Sequence, residues 1–550
     1  MRYCLLLAAL LSVSMAYVPE SFRMQSTAGI WDDDYDVILD PARTLEVQGS
    51  RLYTNLANYV TGNENHFGLN TNNFFLIGGS SNLKGKYGPA GVFDRYSFRL
   101  PQFTGLFDPL TGDSLTGSTR LDSVQWQDLD TNGTYDFKRV SRTERNAWSS
   151  GEGNNLYLGC GLAVRKHVFG VAFAWDDSIR AEVYPGGDFI YHRYDSSLVA
   201  GRLTYLMDDT SQQCSHSCYD RKRIVLSARL ALPASLTLGL NFQPSLINRG
   251  YDATWIENGR TDRNPGGPGI EDYDLLTLRD SLLYPWHGFV LPLTAELVQT
   301  RVGNAETRVC LGGFYRREAA DTGYGETYAR DYFTTLDPGQ EHDNYLMTWK
   351  RRGTSAAGGL NVRLLRRHWL GERFDLGWGA AFALVSSSDS SVESGSQRST
   401  VSYDDGDSLP TRNDYVQTYT ASESWLNRDA GVQASLAIPV GLEFRPVSQI
   451  ALRLGATPTF ALDNGVTTSE LLAITPPKTR IDYGDGTYSE FVGEIQRNPN
   501  SSSAYRRFTQ TTTFSYGLGI RPIDNLQLDL MGFANLTNLA NWRLSATFRF

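Results

Sequence analysis

The sequence predicts an all-β fold, a transmembrane antiparallel β-barrel of about fourteen strands, with an N-terminal plug or periplasmic segment and long extracellular loops. Three observations carry this reading. Apolar and polar residues alternate over stretches of ten or more positions. Short and long connections between those stretches alternate strictly. Beyond the first residues, no apolar run approaches the roughly 18 positions a membrane helix needs. The alternation is clearest in 432–444, where Val432, Ala434, Leu436, Ile438, Val440, Leu442 and Phe444 share one face of an extended chain. It returns in Ile450, Leu452, Leu454, Ala456, Pro458 and Phe460, with Arg453, Gly455 and Thr457 opposite. A sustained period of two means a strand with one greasy and one polar face. About ten residues of it is the length that crosses a bilayer at a tilt.

Taken from the N-terminus, residues 1–16 read as a cleaved secretory signal: Arg2, an apolar run from Leu5 to Leu11, then Ser14 and Ala16 as a small-x-small site. Residues 17–88 precede the first strong strand and are expected to form the plug or a periplasmic segment. Residues 89–550 are expected to form the barrel. Its first strand falls within 89–100, and hairpins follow at Lys166-His167, at "PAS" (233–235), at Val302-Gly303-Asn304, at "RRHWLGE" (366–372), at "PVSQ" (446–449) and at "PIDN" (522–525). Proline presets such turns, and Ser or Asp bonds the nearby backbone. Between the hairpins lie longer segments rich in Asp, Gly, Ser, Asn and Tyr: 178–221, 247–288, 318–353, 386–429 and 463–510. Tight turns at one end and long loops at the other are the asymmetry of a transmembrane barrel. Closure is required because a bilayer offers no water to unpaired N–H and C=O groups. An extra pair of strands in 178–221 would raise the count to sixteen; alternatively "SSLVAGRLTYL" (196–206) is a hairpin standing above the membrane.

The polar faces should line the lumen. They carry Arg165, Arg229, Glu296, Arg363, Asp375, Glu443, Arg453, Asp529 and Arg543, with Gly, Ala and Ser between them. Mixed charge among small residues suits a wet lumen or one filled by a plug. Two further stretches have ligand chemistry. "DLDTNGTYD" sets Asp128, Asp130, Asn132 and Asp136 at the oxygen-ligand positions of a calcium loop, with Gly133 at its turn. Arg139 stands where the bidentate Glu belongs, so a solvated Asp/Asn/Gly turn is the alternative to calcium. "CSHSC" places Cys214 and Cys218 in an expected external loop of an oxidising compartment, where a disulfide is the default expectation.

Composition sets the outer bounds. The 550 residues include 52 Gly, 29 Tyr, 26 Phe and 11 Trp, a profile that suits many strands. A net charge of -9 argues against a nucleic-acid partner. No H-E-x-x-H or G-x-S-x-G motif is present, and "GSSNLKGKY" (79–87) departs from a phosphate loop in spacing and at Tyr87. The expectation is a protein that is not an enzyme, although Ser, His and Asp in the loops leave a spatially assembled hydrolase site open.

The chain ends "NWRLSATFRF". Trp542, Leu544, Ala546, Phe548 and Phe550 alternate on one side, and the last residue is aromatic. This resembles the assembly signal of bacterial outer-membrane barrels, which in that family is read by the barrel assembly machinery. The resemblance implies the bacterial outer membrane as location and its lipid as surroundings. Asp40-Pro41-Ala42 resembles the Asn-Pro-Ala segment at the start of the FadL-type outer-membrane transport family, departing from it at Asp40. That family implies a plugged barrel of fourteen strands that carries hydrophobic molecules. The expected function is a channel or transporter passing small solutes or hydrophobic molecules through a gated lumen. The alternative is a non-transporting surface protein that binds partners through its long loops.

Overall fold

The computed structural model describes residues 21–55, 73–101, 103–107, 114–116, 118–128, 137–181, 188–199, 202–263, 272–302, 304–334, 337–407, 409–494, 499–531 and 543–550. The expected signal peptide, Asp130, Asn132, Asp136 and Trp542 lie outside these residues.

A closed antiparallel wall of sixteen strands dominates the fold. In chain order these are β1 (Ser50–Asn55), β2 (Asn73–Ser81), β3 (Tyr87–Pro101), β4 (Phe137–Val164), β5 (His167–Ala181), β6 (Arg202–Leu232) and β7 (Leu236–Phe242, resumed at Ser245–Arg263). There follow β8 (Asp272–Val302), β9 (Ala305–Thr334), β10 (Asp337–Trp369), β11 (Phe374–Asp404) and β12 (Tyr415–Ala437, resumed at Val440–Val447). The ring is completed by β13 (Ile450–Tyr483), β14 (Ser501–Ile523), β15 (Leu526–Met531) and β16 (Arg543–Arg549). Each pairs with the next, and β1 pairs with β16, Leu52 facing Phe548 and Thr54 facing Ala546. Among the described residues, every strand of this base is paired on both sides, as a lipid-facing wall requires.

The count exceeds fourteen because the wall begins at Ser50 rather than within 89–100. β1 and β2 were expected to belong to the plug. They carry no period-two signal because both faces of β2 are apolar: Ile77 points outward, half exposed, while Leu76 is buried against the plug. The stretch 196–206 adds no strand to the ring. It forms the tip of a hairpin, in which Asp188–Val199 continues the line of β5 upward and pairs with β6.

The outer face shows where the membrane lies. Along β11 the outward positions run Phe374, Leu376, Trp378, Ala380, Phe382, Leu384 and then Ser386, Ser388, Ser390. The apolar part is about 33 Å of strand, which at a tilt near 40° covers about 25 Å of thickness, the height of an outer-membrane apolar band. Trp175 marks its upper edge on β5, its indole Nε1 donating to Asp220 at 2.7 Å.

Above the belt the long connections are folded rather than loose. β10 and β13 run for 33 and 34 residues, and β9 and β10 stay paired from Ala305–His368 up to Thr334–Asp337. A strand of that length spans about 110 Å, so most of these long strands stands outside the belt. This overturns the Cys214–Cys218 disulfide. Both residues lie on β6, four positions apart in an extended strand, and Cys218 is a free thiol. Four strand residues span about 13 Å, well past the roughly 7 Å limit for a disulfide.

Candidate functional site: a plug and its seat inside the barrel

Residues 21–47 lie inside the base of the barrel. Two short helices, α1 (Phe22–Ser26) and α2 (Asp34–Ile38), are followed by a 3-10 turn, Thr44–Glu46. The Ser21 hydroxyl caps α1 by accepting from the Met24 amide at 3.1 Å. Asp33 caps α2 in a capping box with Asp36. The Ser21 amide donates to Asp36 Oδ1 at 2.7 Å, so the two helix starts are tied together. Helices this short are marginal alone; their surroundings hold them.

Those surroundings differ on the two sides. Toward β1–β6 the seat is mainly apolar, with ion pairs at its two edges, Arg51 of β1 with Asp34 and Arg229 of β6 with Glu46. Tyr35, Ile38 and Val47 of the plug pack with Tyr53, Leu76, Val92, Tyr157, Ala172, Ala174 and Val225 of the wall, and Ile38 is 0% exposed. Toward β8–β16 it is mostly ionic, with one small apolar contact of Ile30 and Trp31 on Leu365. Asp32 takes hydrogen bonds from Arg308 at 2.8 Å, Arg43 at 3.0 Å and Arg367 at 3.3 Å. Arg23 pairs with Glu443 at 3.0 Å, and Gln527 donates to Asp33 at 3.3 Å. Arg363 and Arg367 donate to the plug carbonyls of Gly29 and Ile30 at 2.7 and 2.6 Å. Burial would raise the Asp32 carboxyl, but Arg308, Arg43 and Arg367 together outweigh it and hold the group well below the usual carboxylate range.

Glycines in the wall make room for the plug backbone. A Cβ on Gly161 would lie 2.5 Å from the Pro41 carbonyl oxygen, one on Gly441 2.6 Å from the Thr27 carbonyl oxygen, and one on Gly517 2.6 Å from Ser26 Cβ. Gly88, Gly170 and Gly377 are covered in the same way by Thr44, Pro41-Ala42 and Ile30. The Asp40-Pro41-Ala42 segment is thus pressed on β4 and β5, and the Ala42 amide donates to Ser227 on β6 at 2.9 Å.

Most of the lumen-facing residues expected from sequence meet in this seat. Arg229 bridges Glu46 of the plug (3.0 Å) and Glu296 of β8 (3.5 Å). Arg453 joins Glu443 and Asp529 across β12, β13 and β15, and Asp375 accepts from Arg445 at 2.7 Å. Arg165 does not belong to the set. It is exposed in the β4–β5 turn with φ 58, because Val164 pairs with His167 and leaves Arg165 and Lys166 as the two-residue turn. Arg543 opens β16 by its backbone, and its side chain lies outside the described residues. On the same strand Leu544, Ala546 and Phe548 share the outward register, Ala546 only 2% exposed, and Phe550 follows the strand end at 78% exposed. The residues that sequence reasoning missed are Asp32, Arg308 and Arg367. Their charges lie in an irregular segment or on strands, with nothing local to mark them as partners 276 and 335 positions apart.

Of the candidate calcium loop only Asp128 is described, at the end of the strand that extends β3 upward. A different acidic group forms at the β11–β12 tip, where ligand atoms of Asp404, Asp405 and Asp414 lie within 4.8 Å of one another. Asp414 accepts from the amides of Asp405 (2.9 Å) and Thr411 (3.0 Å), bonds that hold its carboxyl below the usual range and organise the loop.

No protein-family model and no curated protein matches the chain. Among solved structures it is similar to a Pseudomonas aeruginosa FadL homologue, at 10% identity and a TM-score of 0.25, over 97% of this chain and 99% of that one. It is also similar to the outer membrane protease OmpT from Escherichia coli, at 12% identity and a TM-score of 0.13, over 64% and 88%. It is the closed sixteen-stranded wall with its apolar belt that makes this chain a transmembrane β-barrel of the outer-membrane type.

Proposed function

We propose that the protein is an outer-membrane channel or transporter whose lumen is gated by residues 21–47. The observation that carries this is the two-sided seat. An apolar contact with β1–β6 anchors one side of the plug next to its covalent link to β1. The other side is held mainly by ion pairs and by backbone resting on glycine. Ion pairs exchange for water at low net cost, so the polar side can release while the apolar side stays attached. The reading involves no catalytic chemistry and no cofactor. It covers small solutes and hydrophobic molecules alike.

The test is conductance of the purified protein in planar bilayers, with and without residues 17–47. β1 and β2 must be kept because they belong to the wall. The full chain should conduct little, and the deletion steadily. A deletion variant that folds as a barrel, by its heat-modifiable migration on gels, yet does not conduct would overturn the proposal.

The height of the wall above the belt favours a second reading, that of a surface protein binding a partner. A strand pair as long as β9–β10 presents far more outer surface than a pore requires. Whole cells shaved of these extensions by protease should then lose attachment while purified barrels keep any conductance.

A further inference from the structure

Above the plug, we infer that the inner wall of β10–β14 is a binding site for a neutral oligosaccharide. The inward face can be followed without a break. Asp375 points to the lumen, and the pairing of β10 with β11 has no register shift from Trp369–Asp375 to Gln340–Asp404. Trp349, Gly395, Gln397, Ser399 and Tyr403 therefore face inward. So does Tyr505, whose pairing with Gly465 continues unshifted from Arg453–Gly517.

One ring lies flat on the wall. A Cβ on Gly395 would be 2.7, 2.7 and 2.8 Å from Cδ2, Cε2 and Cε3 of Trp349. A point nearly equidistant from those three bonded atoms lies over the face of the six-membered ring, so the indole covers Gly395 face-on. Tyr505 and Tyr403 reach over Gly465 and Gly339 with their phenol ends, the nearest atoms in each being one Cε, Cζ and the hydroxyl oxygen. Rings laid over glycine shield the backbone. The Trp349 indole also turns its opposite face toward the lumen and is half-buried, while Tyr505 is 50% exposed.

The groups around the rings choose the ligand class. Beside Trp349 and Tyr403 stand Gln397, Ser399 and Gln417 in register. Below Tyr505 the two facing strands present Thr457, Thr459, Thr509, Thr511 and Thr513. An aliphatic chain would leave these amides and hydroxyls unpaired, which costs free energy. A sugar has an apolar C–H face for the ring and hydroxyls for the groups beside it. Charge excludes an anionic glycan: Asp389, Glu393, Glu423, Asp429 and Asp463 face inward against Arg351 and Arg507. At the rim the inward-facing Tyr403 is paired with Tyr415 of β12. Tyr403 and Tyr415 stack there at 5.5 Å and 21°.

Binding in this well needs no release of the plug, so it stands or falls apart from conduction. The experiment is isothermal titration of the full chain in detergent with maltohexaose, cellohexaose and chitohexaose, with decanoate as the apolar probe. At least one hexasaccharide should bind saturably. Trp349→Ala should weaken it ~10-fold or more, and Trp349→Phe should restore most of the loss. Equal thermal midpoints of the two variants separate recognition from folding. The inference is overturned if no hexasaccharide binds at about 10 mM, if only decanoate binds, or if Trp349→Ala binds as the wild type does.

Discussion

Replacing Asp32 by Asn should loosen the plug without harming the barrel. Three guanidinium groups converge on this carboxylate at 2.8, 3.0 and 3.3 Å, and its side chain is 14% exposed. Removing one partner of a buried ion pair costs about 3–5 kcal/mol, because the remaining charge is left unpaired. Here the arginines keep other partners. Arg308 and Arg367 still reach Glu306 at 2.6 and 2.9 Å, and Arg43 still reaches Glu46 at 3.2 Å. The lower end of the range therefore applies, about 3 kcal/mol, or roughly 100-fold in the ratio of seated to released plug. Asp34 provides the contrast. It is 30% exposed and meets Arg51 at 2.9 Å and Arg549 at 4.0 Å, so Asp34→Asn should cost less than about 1 kcal/mol. Open probability in planar bilayers and the rate of proteolysis within 21–47 would both report release. Indistinguishable behaviour of the two variants, with both barrels folded, would refute the reasoning.

Other outcomes follow from the same geometry. Gly441→Val sets a side chain against the Thr27 carbonyl oxygen and the Trp31 ring, so it should unseat the plug while the heat-modifiable barrel persists on gels. A carboxyl whose value is depressed on docking stabilises the docked state at neutral pH, and that stability is lost as pH falls through the depressed value. Burial pushes Asp36 up to about 7 and Asp33 up to about 6, so the docked plug takes up protons as pH falls and docking tightens over that range. Proteolysis within 21–47 should therefore fall between about pH 7 and 5 and rise only in stronger acid, where Asp32 is protonated; release already near pH 6 would contradict both readings. Leu364→Arg, paired with Ala380 at the middle of the belt, should cost about 2–4 kcal/mol in urea unfolding from bilayers, whereas Ser390→Arg on the same outer face above it should cost close to nothing. Equal costs would mean that the belt is misplaced.

The sequence alone determined the barrel and the greasy outer face of its strands. Phe374, Trp378, Phe382, Leu384 and then Ser386 announce in order where hydrocarbon stops, because each side chain on a strand answers to one local solvent. The hairpin turns at 233–235, 446–449 and 522–525 were legible for the same reason: turn chemistry is local. What only the tertiary structure decided is everything that depends on two faces meeting. β1 and β2 hid because the plug makes their inner face as apolar as the outer one. Arg165 was misplaced by a single turn residue, since a shift of one position changes the face. The Asp32 seat needed Arg308 and Arg367, whose proximity is set by closure of the wall around the plug, and residues so distant in sequence carry no local pattern that says which charge will answer which.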